Sequence, residues 1–102
     1  MKLGKQESRK RWKEIRSMWC QWDPIGVMSD FDWPRDEYDS YLGPSLRYLE
    51  QNASIEEIDE YLSFVVSEYM GLGQEGINYS KPRIFAAKLK EWYSKNWPNT
   101  YI

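Results

Sequence analysis

One stretch, residues 22–41, cannot form a single regular element, and it divides the chain into helical segments. Pro24 and Pro34 each remove a backbone donor and restrict the residue before them, and Gly26 permits a positive φ. Five aspartates and one glutamate fall inside the same stretch. We therefore predict a structured loop over residues 23–35, with helices before and after it.

The segment before this loop has the periodicity of an amphipathic helix. Its apolar residues recur at steps of three and four and so share one face: Trp12, Ile15, Trp19 and Trp22. A basic stripe lies beside that face and comprises Lys5, Arg9, Lys13 and Arg16. We predict a helix from about Gln6 to Trp22, whose first part belongs to a basic N-terminal arm over residues 1–17.

A second helix is predicted to begin between Pro34 and Asp36. Asp36 is suited to cap its first backbone N–H groups, and Glu37 and Asp39 would lie in its positively polarised first turn. Gly43-Pro44 falls in the middle of this segment. Because proline cannot donate a helical hydrogen bond, we expect a kink or a break into two short helices there.

The third helix, over residues 54–70, is the best defined by sequence. Ser54 and Glu57 have the spacing of a capping box, and Gly71 is placed to end the helix in a left-handed conformation. The predicted inward stripe consists of Ile55, Ile58, Leu62, Val65 and Tyr69.

The remaining chain predicts a glycine-containing loop over residues 71–79 and a last helix. That helix is expected to start at Ser80, to tolerate Pro82 in its first turn and to reach about Asn96, before Pro98. No segment has the pattern of a strand. The prediction is an all-α fold, an irregular bundle of four to five short helices in a single helical domain over residues 1–102.

Charge is distributed unevenly along the chain, although the net charge is only −2. Residues 1–17 hold seven Lys/Arg against two acids, residues 18–76 hold two against thirteen, and residues 77–102 hold five against one. The basic ends either fold against the acidic middle and neutralise it, or serve charged partners. There is no apolar signal segment or membrane span, and the lone Cys20 suits a reducing compartment, so we expect a cytoplasmic protein without a membrane partner.

The residue types argue against an enzyme. The chain has no histidine, which removes Ser-His and Cys-His nucleophile systems and any ordinary zinc site. Asp30 and Asp32 fail as the start of a calcium loop, because Arg35 stands where glycine is required and Tyr41 where glutamate is required. We expect no catalytic activity, no metal and no cofactor.

Two surfaces are candidates for binding. A run of cations around Trp12 could hold phosphates while the ring stacks on a base: Arg9, Lys10, Arg11 and Lys13. The acidic middle of the chain opposes this, so nucleic-acid binding is the alternative function.

The second candidate surface lies on the outer side of the third helix. Phe64 points away from the predicted inward stripe, and helical spacing places Glu57, Glu60 and Glu68 around it. An aromatic anchor with a charged rim is typical of a binding hot spot for a basic partner. The competing interpretation is that Phe64 and Tyr61 pack under a neighbouring helix.

A resemblance to a group of known proteins indicates which kind of partner the acidic surface would bind. The chain carries Trp22-Asp23-Pro24-Ile25-Gly26 followed by Asp36-Glu37-Tyr38-Asp39-Ser40-Tyr41, and later Met70-Gly71-Leu72. Across residues 19–72 it resembles small bacterial all-helical proteins with a W-D-P-I-G turn and a D-E-Y-D-x-Y motif, which are similar to immunity proteins of contact-dependent growth inhibition.

The resemblance implies that the chain binds and neutralises a cognate toxin C-terminal domain, often a nuclease, in the cytoplasm. Nucleases tend to have basic substrate-binding surfaces, which acidic groups can occupy. The candidate toxin contacts are Asp30, Phe31, Asp32, Asp36, Glu37, Glu57, Glu60, Phe64 and Glu68. A structural or oligomeric helical protein is a third possibility, and the sequence leaves self-association open.

Overall fold

The computed structural model describes residues 4–34 and 36–96, and helices account for most of them. The elements are α1 (Lys5–Trp22), α2 (Asp39–Glu50), α3 (Ile55–Phe64), a π turn (Val65–Tyr69), α4 (Gly73–Ser80) and α5 (Pro82–Asn96). The described ranges contain no strand. The predicted all-α class with four to five short helices is confirmed. The part of the basic arm before Gly4, and the proline expected to follow the last helix, lie outside the described residues.

The helices pack into a flat body of 39 × 31 × 18 Å. α3 lies along α5, α1 packs on α2, and the π turn packs on α4. One apolar core joins these elements, and it comprises Ile15, Trp19, Tyr38, Leu42, Leu46, Leu49, Ala53, Ile58, Leu62, Phe85, Ala86, Leu89 and Tyr93. The thin third dimension leaves large outer faces on the helices.

Trp19 lies at the centre of this core and is fully buried. Its indole N–H donates to the Ser45 hydroxyl at 3.2 Å, so the one polar atom of the ring is satisfied. The ring stacks on Tyr41 with centroids 5.5 Å apart and meets Phe85 edge-on at 5.5 Å. One side chain of α1 therefore contacts both α2 and α5.

The loop between α1 and α2 is built on the carboxylate of Asp23, which ends α1 in a left-handed conformation with φ 46°. This carboxylate accepts backbone N–H groups from Gly26, Val27 and Met28 at 3.2, 3.0 and 3.1 Å. The Tyr38 hydroxyl donates to it at 2.7 Å. Burial disfavours the charged form of Asp23, but the Tyr38 and backbone hydrogen bonds outweigh burial and lower its pKa.

The start and the middle of α2 differ from the predictions. The helix begins at Asp39 with Tyr38 as N-cap, and no side chain caps it, so Asp36 is not the N-cap. Asp39 instead pairs with the guanidinium of Arg16 on α1. The predicted break at Gly43-Pro44 is also wrong, because α2 continues through Pro44. The helix gives up one backbone hydrogen bond there, and burial of its leucines on both sides of the proline compensates for the loss.

The third helix begins as predicted but changes geometry near its end. Both hydrogen bonds of the capping box between Ser54 and Glu57 are present. Beyond Phe64 the backbone widens into the π turn, in which Met70 N–H donates to the Val65 carbonyl at 2.9 Å. The extra residue in the turn shifts the helical phase. Tyr69, predicted to point inward, is consequently 72% exposed, while Val66 is buried.

The predicted loop over residues 71–79 is wrong, because most of it forms α4. Gly71 does adopt the expected left-handed conformation, with φ 69°. Glycines normally weaken a helix, but Gly76 is required by packing: a Cβ there would lie 2.3 Å from Leu72 Cβ and 3.1 Å from Val66 Cγ1. Lys81, also left-handed, separates α4 from α5, so the last helix begins at Pro82 instead of Ser80.

Ion pairs connect the basic ends of the chain to its acidic middle. Arg11 pairs with Glu50 at 2.8 Å, and Arg16 pairs with Asp39. On the other side of the body, Arg83 of α5 reaches Glu56 of α3 at 3.0 Å. These contacts support the interpretation that the uneven charge is partly neutralised within the fold.

A first prediction concerns the acid stability of the Asp23 loop. Asp23→Asn should lower the free energy of unfolding at neutral pH by about 1.5–3 kcal/mol, because it removes charge-assisted hydrogen bonds and asparagine tolerates the same left-handed conformation. Since the pKa of Asp23 is lower in the folded chain, its contribution is full above the ordinary value of 3.8 and is lost as the pH falls through the folded value. Urea melts at neutral and acid pH measure both effects. Asp32→Asn, an exposed control in the same loop, should change the free energy of unfolding at neutral pH by less than about 0.5 kcal/mol.

A second prediction separates two helical glycines. Gly76→Ala should destabilise the chain by about 1–3 kcal/mol, because the added methyl overpacks the contact with Leu72. Gly43→Ala should change stability by less than about 1 kcal/mol: apart from its chain neighbours and its own helix backbone, no atom lies within 4 Å of the added Cβ, but a Cβ before Pro44 opposes the gain in helix propensity. Thermal unfolding of the two variants provides the comparison. An equal effect of both would show that α4 does not pack closely on the π turn.

Candidate protein-binding surface

An aromatic groove lies on the molecular surface where rings of α2 and α3 meet. Tyr48 of α2 and Tyr61 of α3 form its base, with ring centroids 5.1 Å apart and planes tilted by 33°. The groove has a volume of about 420 Å³, and the residues that line it are Tyr48, Glu57, Glu60, Tyr61 and Phe64. We call this set the tyrosine groove.

Phe64 and Tyr69 extend the groove beyond the end of α3. They are 54% and 72% exposed, and their rings meet edge-to-face with centroids 5.6 Å apart. The π turn brings Tyr69 to this position, because the phase shift carries its side chain from the inner to the outer side. Two large exposed rings in contact form an apolar patch of the kind that a soluble protein usually covers with a partner.

A second depression continues the groove along α2. It measures about 370 Å³ and shares Tyr48 and Tyr61 with the tyrosine groove. Its other lining residues are Pro44, Arg47 and Gln51. The two depressions therefore form one surface, joined through the Tyr48 and Tyr61 rings.

Tyr61 in the groove and the nearby Tyr41 remain protonated donors at physiological pH. Burial raises the pKa of Tyr61 to about 12, and the nearby Tyr41, Tyr48 and Tyr69 hydroxyls add to the shift. Burial, followed by the charge of Glu37, also raises the pKa of Tyr41. These phenol groups therefore offer neutral hydroxyls beside the apolar rings.

Carboxylates border the rings on the α3 side. Glu57 accepts the Ser54 N–H at 3.0 Å, and that backbone hydrogen bond lowers the pKa of Glu57. Glu60 lines the groove and is exposed. Glu68 lies on the exposed side of the π turn. The rim therefore carries three carboxylates, of which Glu57 stays ionised to a lower pH than an ordinary glutamate.

The structure groups only part of the predicted toxin-contact set. It brings Glu57, Glu60 and Phe64 together in the groove. Asp30, Phe31 and Asp32 occupy the tip of the loop between α1 and α2 instead, and no described contact joins that tip to the groove. Asp36 and Glu37 lie in the turn that precedes α2. The charge of Glu37 acts on Tyr41, which does not line the groove, so neither acid belongs to it.

The candidate contacts predicted from the sequence did not include Tyr48 and Tyr61, the two tyrosines that line the groove. Tyr48 follows Tyr41 by seven residues, or two helical turns, so the spacing predicts that the two share a helix face. Helical spacing predicts that Tyr61 is a neighbour of Phe64 on α3. Its stacking on Tyr48 depends on how α2 and α3 pack, which the spacing does not predict. Tyr69 gave no signal, because its outward position results from the π turn.

The predicted nucleic-acid set is divided. Arg11 is committed to the fold: it pairs with Glu50 at 2.8 Å, its Nη1 lies 3.5 Å from the Tyr93 hydroxyl, and its side chain is only 11% exposed. Lys10 lies 4.0 Å from Glu14, whereas Arg9 and Lys13 are exposed. Trp12, predicted to point inward, is 36% exposed and lies at the edge of the core.

The described residues contain no group of three or more His, Cys, Asp or Glu side chains placed to hold a metal ion. No helix in the described part of the chain has both the length and the apolar character needed to cross a bilayer. Comparison with family models, curated proteins and solved structures finds no match for this chain. The function must therefore be argued from the surface itself.

A third prediction tests whether Arg11 belongs to the fold or to a surface. Arg11→Ala should lower the free energy of unfolding by about 1.5–3 kcal/mol, because it breaks a charge-assisted hydrogen bond and leaves Glu50 without that partner. Arg9→Ala, an exposed control two residues away on the same helix, should change it by less than about 0.5 kcal/mol. Chemical denaturation measures both, and equal effects would contradict the assignment.

Proposed function

We propose that this protein is an immunity protein: it binds the basic C-terminal domain of a cognate toxin in the cytoplasm, through the tyrosine groove, and neutralises it. The observation that supports this choice of binding surface is the exposed Phe64 ring in a groove bordered by Glu57 and Glu60. The resemblance of residues 19–72 to immunity proteins supplies the kind of partner.

The chemistry of the groove favours a cationic side chain as its ligand. Arginine and lysine are attracted to the faces of aromatic rings and to carboxylates, and arginine can satisfy both at once. Tyr48, Tyr61 and Phe64 provide the rings, while the carboxylates of Glu57 and Glu60 stand at the rim. Tyrosine and phenylalanine lose little conformational entropy on binding, which suits them to act as anchors.

Charge layout supports the same partner. The internal ion pairs of Arg11 and Arg16 remove cations from the side of α1 that faces α2. Glu60 and Glu68 remain exposed, and neither takes part in an ion pair among the described residues. Such a surface attracts a basic domain over a distance of about one Debye length and speeds the encounter. A nuclease whose phosphate-binding surface is covered in this way cannot hold its substrate.

Nucleic-acid binding has less support. Arg11, one of its four candidate cations, holds α1 to α2, and Lys10 lies beside Glu14. Arg9 and Lys13 remain exposed, and two cations supply few of the phosphate contacts that binding at physiological salt requires. A gel shift at low salt tests this alternative directly.

A fourth prediction tests the proposed function. The partner is the toxin C-terminal domain encoded beside the gene for this chain, and co-expression should restore growth and yield a complex. Phe64→Ala should weaken binding by about 2 kcal/mol or more, as expected for an anchor residue. Glu60→Lys should mainly slow association and reduce its salt dependence. Calorimetry and stopped-flow fluorescence measure the two effects.

The controls separate two questions: whether the groove is the binding surface, and whether this chain binds and neutralises the toxin domain at all. Glu75→Lys makes the same charge change as Glu60→Lys at an exposed position of α4, and it should leave association nearly unchanged. If the toxin domain binds but Phe64→Ala and Glu60→Lys behave as the parent chain, the groove is the wrong surface. If the toxin domain neither binds nor is neutralised, the proposed function is wrong.

A further inference from the structure

The tip of the loop between α1 and α2 presents an exposed ring on an ordered turn. Phe31 is 94% exposed, the most exposed of the large apolar side chains. The backbone beneath it is fixed by two successive turns, in which Asp30 N–H donates to the Val27 carbonyl at 3.1 Å and Trp33 N–H to the Asp30 carbonyl at 3.0 Å. The Asp30 carboxylate also accepts the Asp32 N–H at 2.9 Å. The tip is thus a phenyl ring between two carboxylates.

A cleft of complementary character lies between α1 and α5. Its volume is about 230 Å³, and the residues that line it are Met18, Gln21, Trp22, Ser80, Lys81, Ile84, Phe85 and Lys88. Trp22 and Phe85 stack with centroids 4.4 Å apart, and the Trp22 indole N–H already donates to the Ser80 carbonyl at 2.6 Å. The ring pair therefore presents only apolar surface, and Ile84 beside it is 53% exposed.

Two ammonium groups stand at this cleft. Lys81 and Lys88 both line it, and no carboxylate in the described part of the chain lies within ion-pair distance of either. A cavity of about 150 Å³ admits a benzene ring, so this cleft has space for a phenylalanine side chain. The cleft therefore has an apolar surface on which a ring can pack, and two positive charges that can pair with acids on either side of that ring.

We propose that a second copy of this chain occupies the cleft: Phe31 of one protomer inserts between Lys81 and Lys88 of its partner, and Asp30 and Asp32 pair with these lysines. The loop leaves α1 at Asp23, next to Trp22 in the cleft wall, so tip and cleft share the C-terminal end of α1. We place the two copies about a two-fold axis, in which each tip enters the cleft of the other copy and the assembly closes as a dimer.

The expected dimer is weak and depends on concentration. Each tip contributes essentially one ring and two carboxylates, so the interface falls below the 1,200 Å² or so of stable complexes and belongs to the transient class. Its residues are separate from the tyrosine groove, so the inference goes beyond the proposed function. Toxin binding and dimerisation can each fail without the other.

Sedimentation equilibrium over a wide concentration range tests the proposal. The parent chain should show a monomer–dimer equilibrium that weakens as salt is added, since it includes ion pairs. Phe31→Ala should weaken self-association about tenfold or more. Phe64→Ala, which removes an exposed ring of the tyrosine groove, should leave it unchanged. Phe31 packs on nothing, so its variant should retain the parent melting temperature.

The decisive experiment exchanges the charges of the tip and the cleft. Asp30→Lys/Asp32→Lys and Lys81→Asp/Lys88→Asp should each be monomeric alone, because like charges then meet at both contacts. Mixed in equal amounts, they should form a heterodimer, in which one contact has exchanged charges and the other is native. Arg9→Glu/Lys13→Glu mixed with the first variant controls for general attraction between oppositely charged chains: it keeps the native tip and cleft, so it should dimerise with itself and form no heterodimer with the first variant.

Three results would overturn the proposal: a parent chain that is monomeric at all concentrations, a dimer unaffected by Phe31→Ala, or charge-exchanged variants that do not associate on mixing. A loss of toxin binding by Phe31→Ala without any change in self-association would assign the tip to the toxin and also reject the dimer.

Discussion

The fold depends on the burial of one indole ring. The Trp19 side chain of α1 contacts aromatic rings of both α2 and α5, and it has no exposed surface. A buried indole requires a hydrogen-bond acceptor, and Ser45 of α2 supplies it. The Ser45 hydroxyl in turn donates to the Tyr41 carbonyl at 2.7 Å. Satisfying this one N–H therefore fixes the rotation of α2 against α1, and with it the face that α2 turns toward α3.

That rotation has a consequence for the outer surface. With Leu42, Ser45 and Leu49 facing the core, helical spacing places Tyr41 and Tyr48 toward α3. Tyr48 can then stack on Tyr61 and form the base of the tyrosine groove. The proposed binding surface is thus a by-product of how the tryptophan is buried, and a change at Ser45 would affect the groove without touching it.

Local signals predicted more of the structure than non-local ones did. Pro24 ended α1 and Ser54 with Glu57 began α3 as expected, because these rules act within one turn of chain. The acids before α2 were assigned to capping, yet Asp39 pairs with Arg16, a partner 23 residues away that spacing alone does not reveal. Similarly, Gly76 indicates a loop by composition, and only its contact with Leu72 explains why a helix needs glycine there.

The candidate site shows the same division. Glu57, Glu60 and Phe64 were found because they lie within regular helix, where a period of 3.6 residues is valid. The same period misplaced Tyr69, since it fails at the π turn, and π turns have no reliable sequence signature. Such turns occur frequently at functional sites. The residue that the helical pattern placed wrongly is accordingly one of those that complete the binding surface.

Internal ion pairs also change how the charge of the chain should be understood. Acids of the middle segment form ion pairs with Arg11, Arg16 and Arg83. The other cations at the surface belong mainly to the lysines of α5 and the first turns of α1. Exposed acids remain on α3, in the π turn and on α4, among other places. A chain of net charge −2 therefore presents separate regions of opposite sign. In the proposed dimer the acidic tips would lie against the basic clefts and leave both tyrosine grooves open, so one dimer would carry two toxin domains.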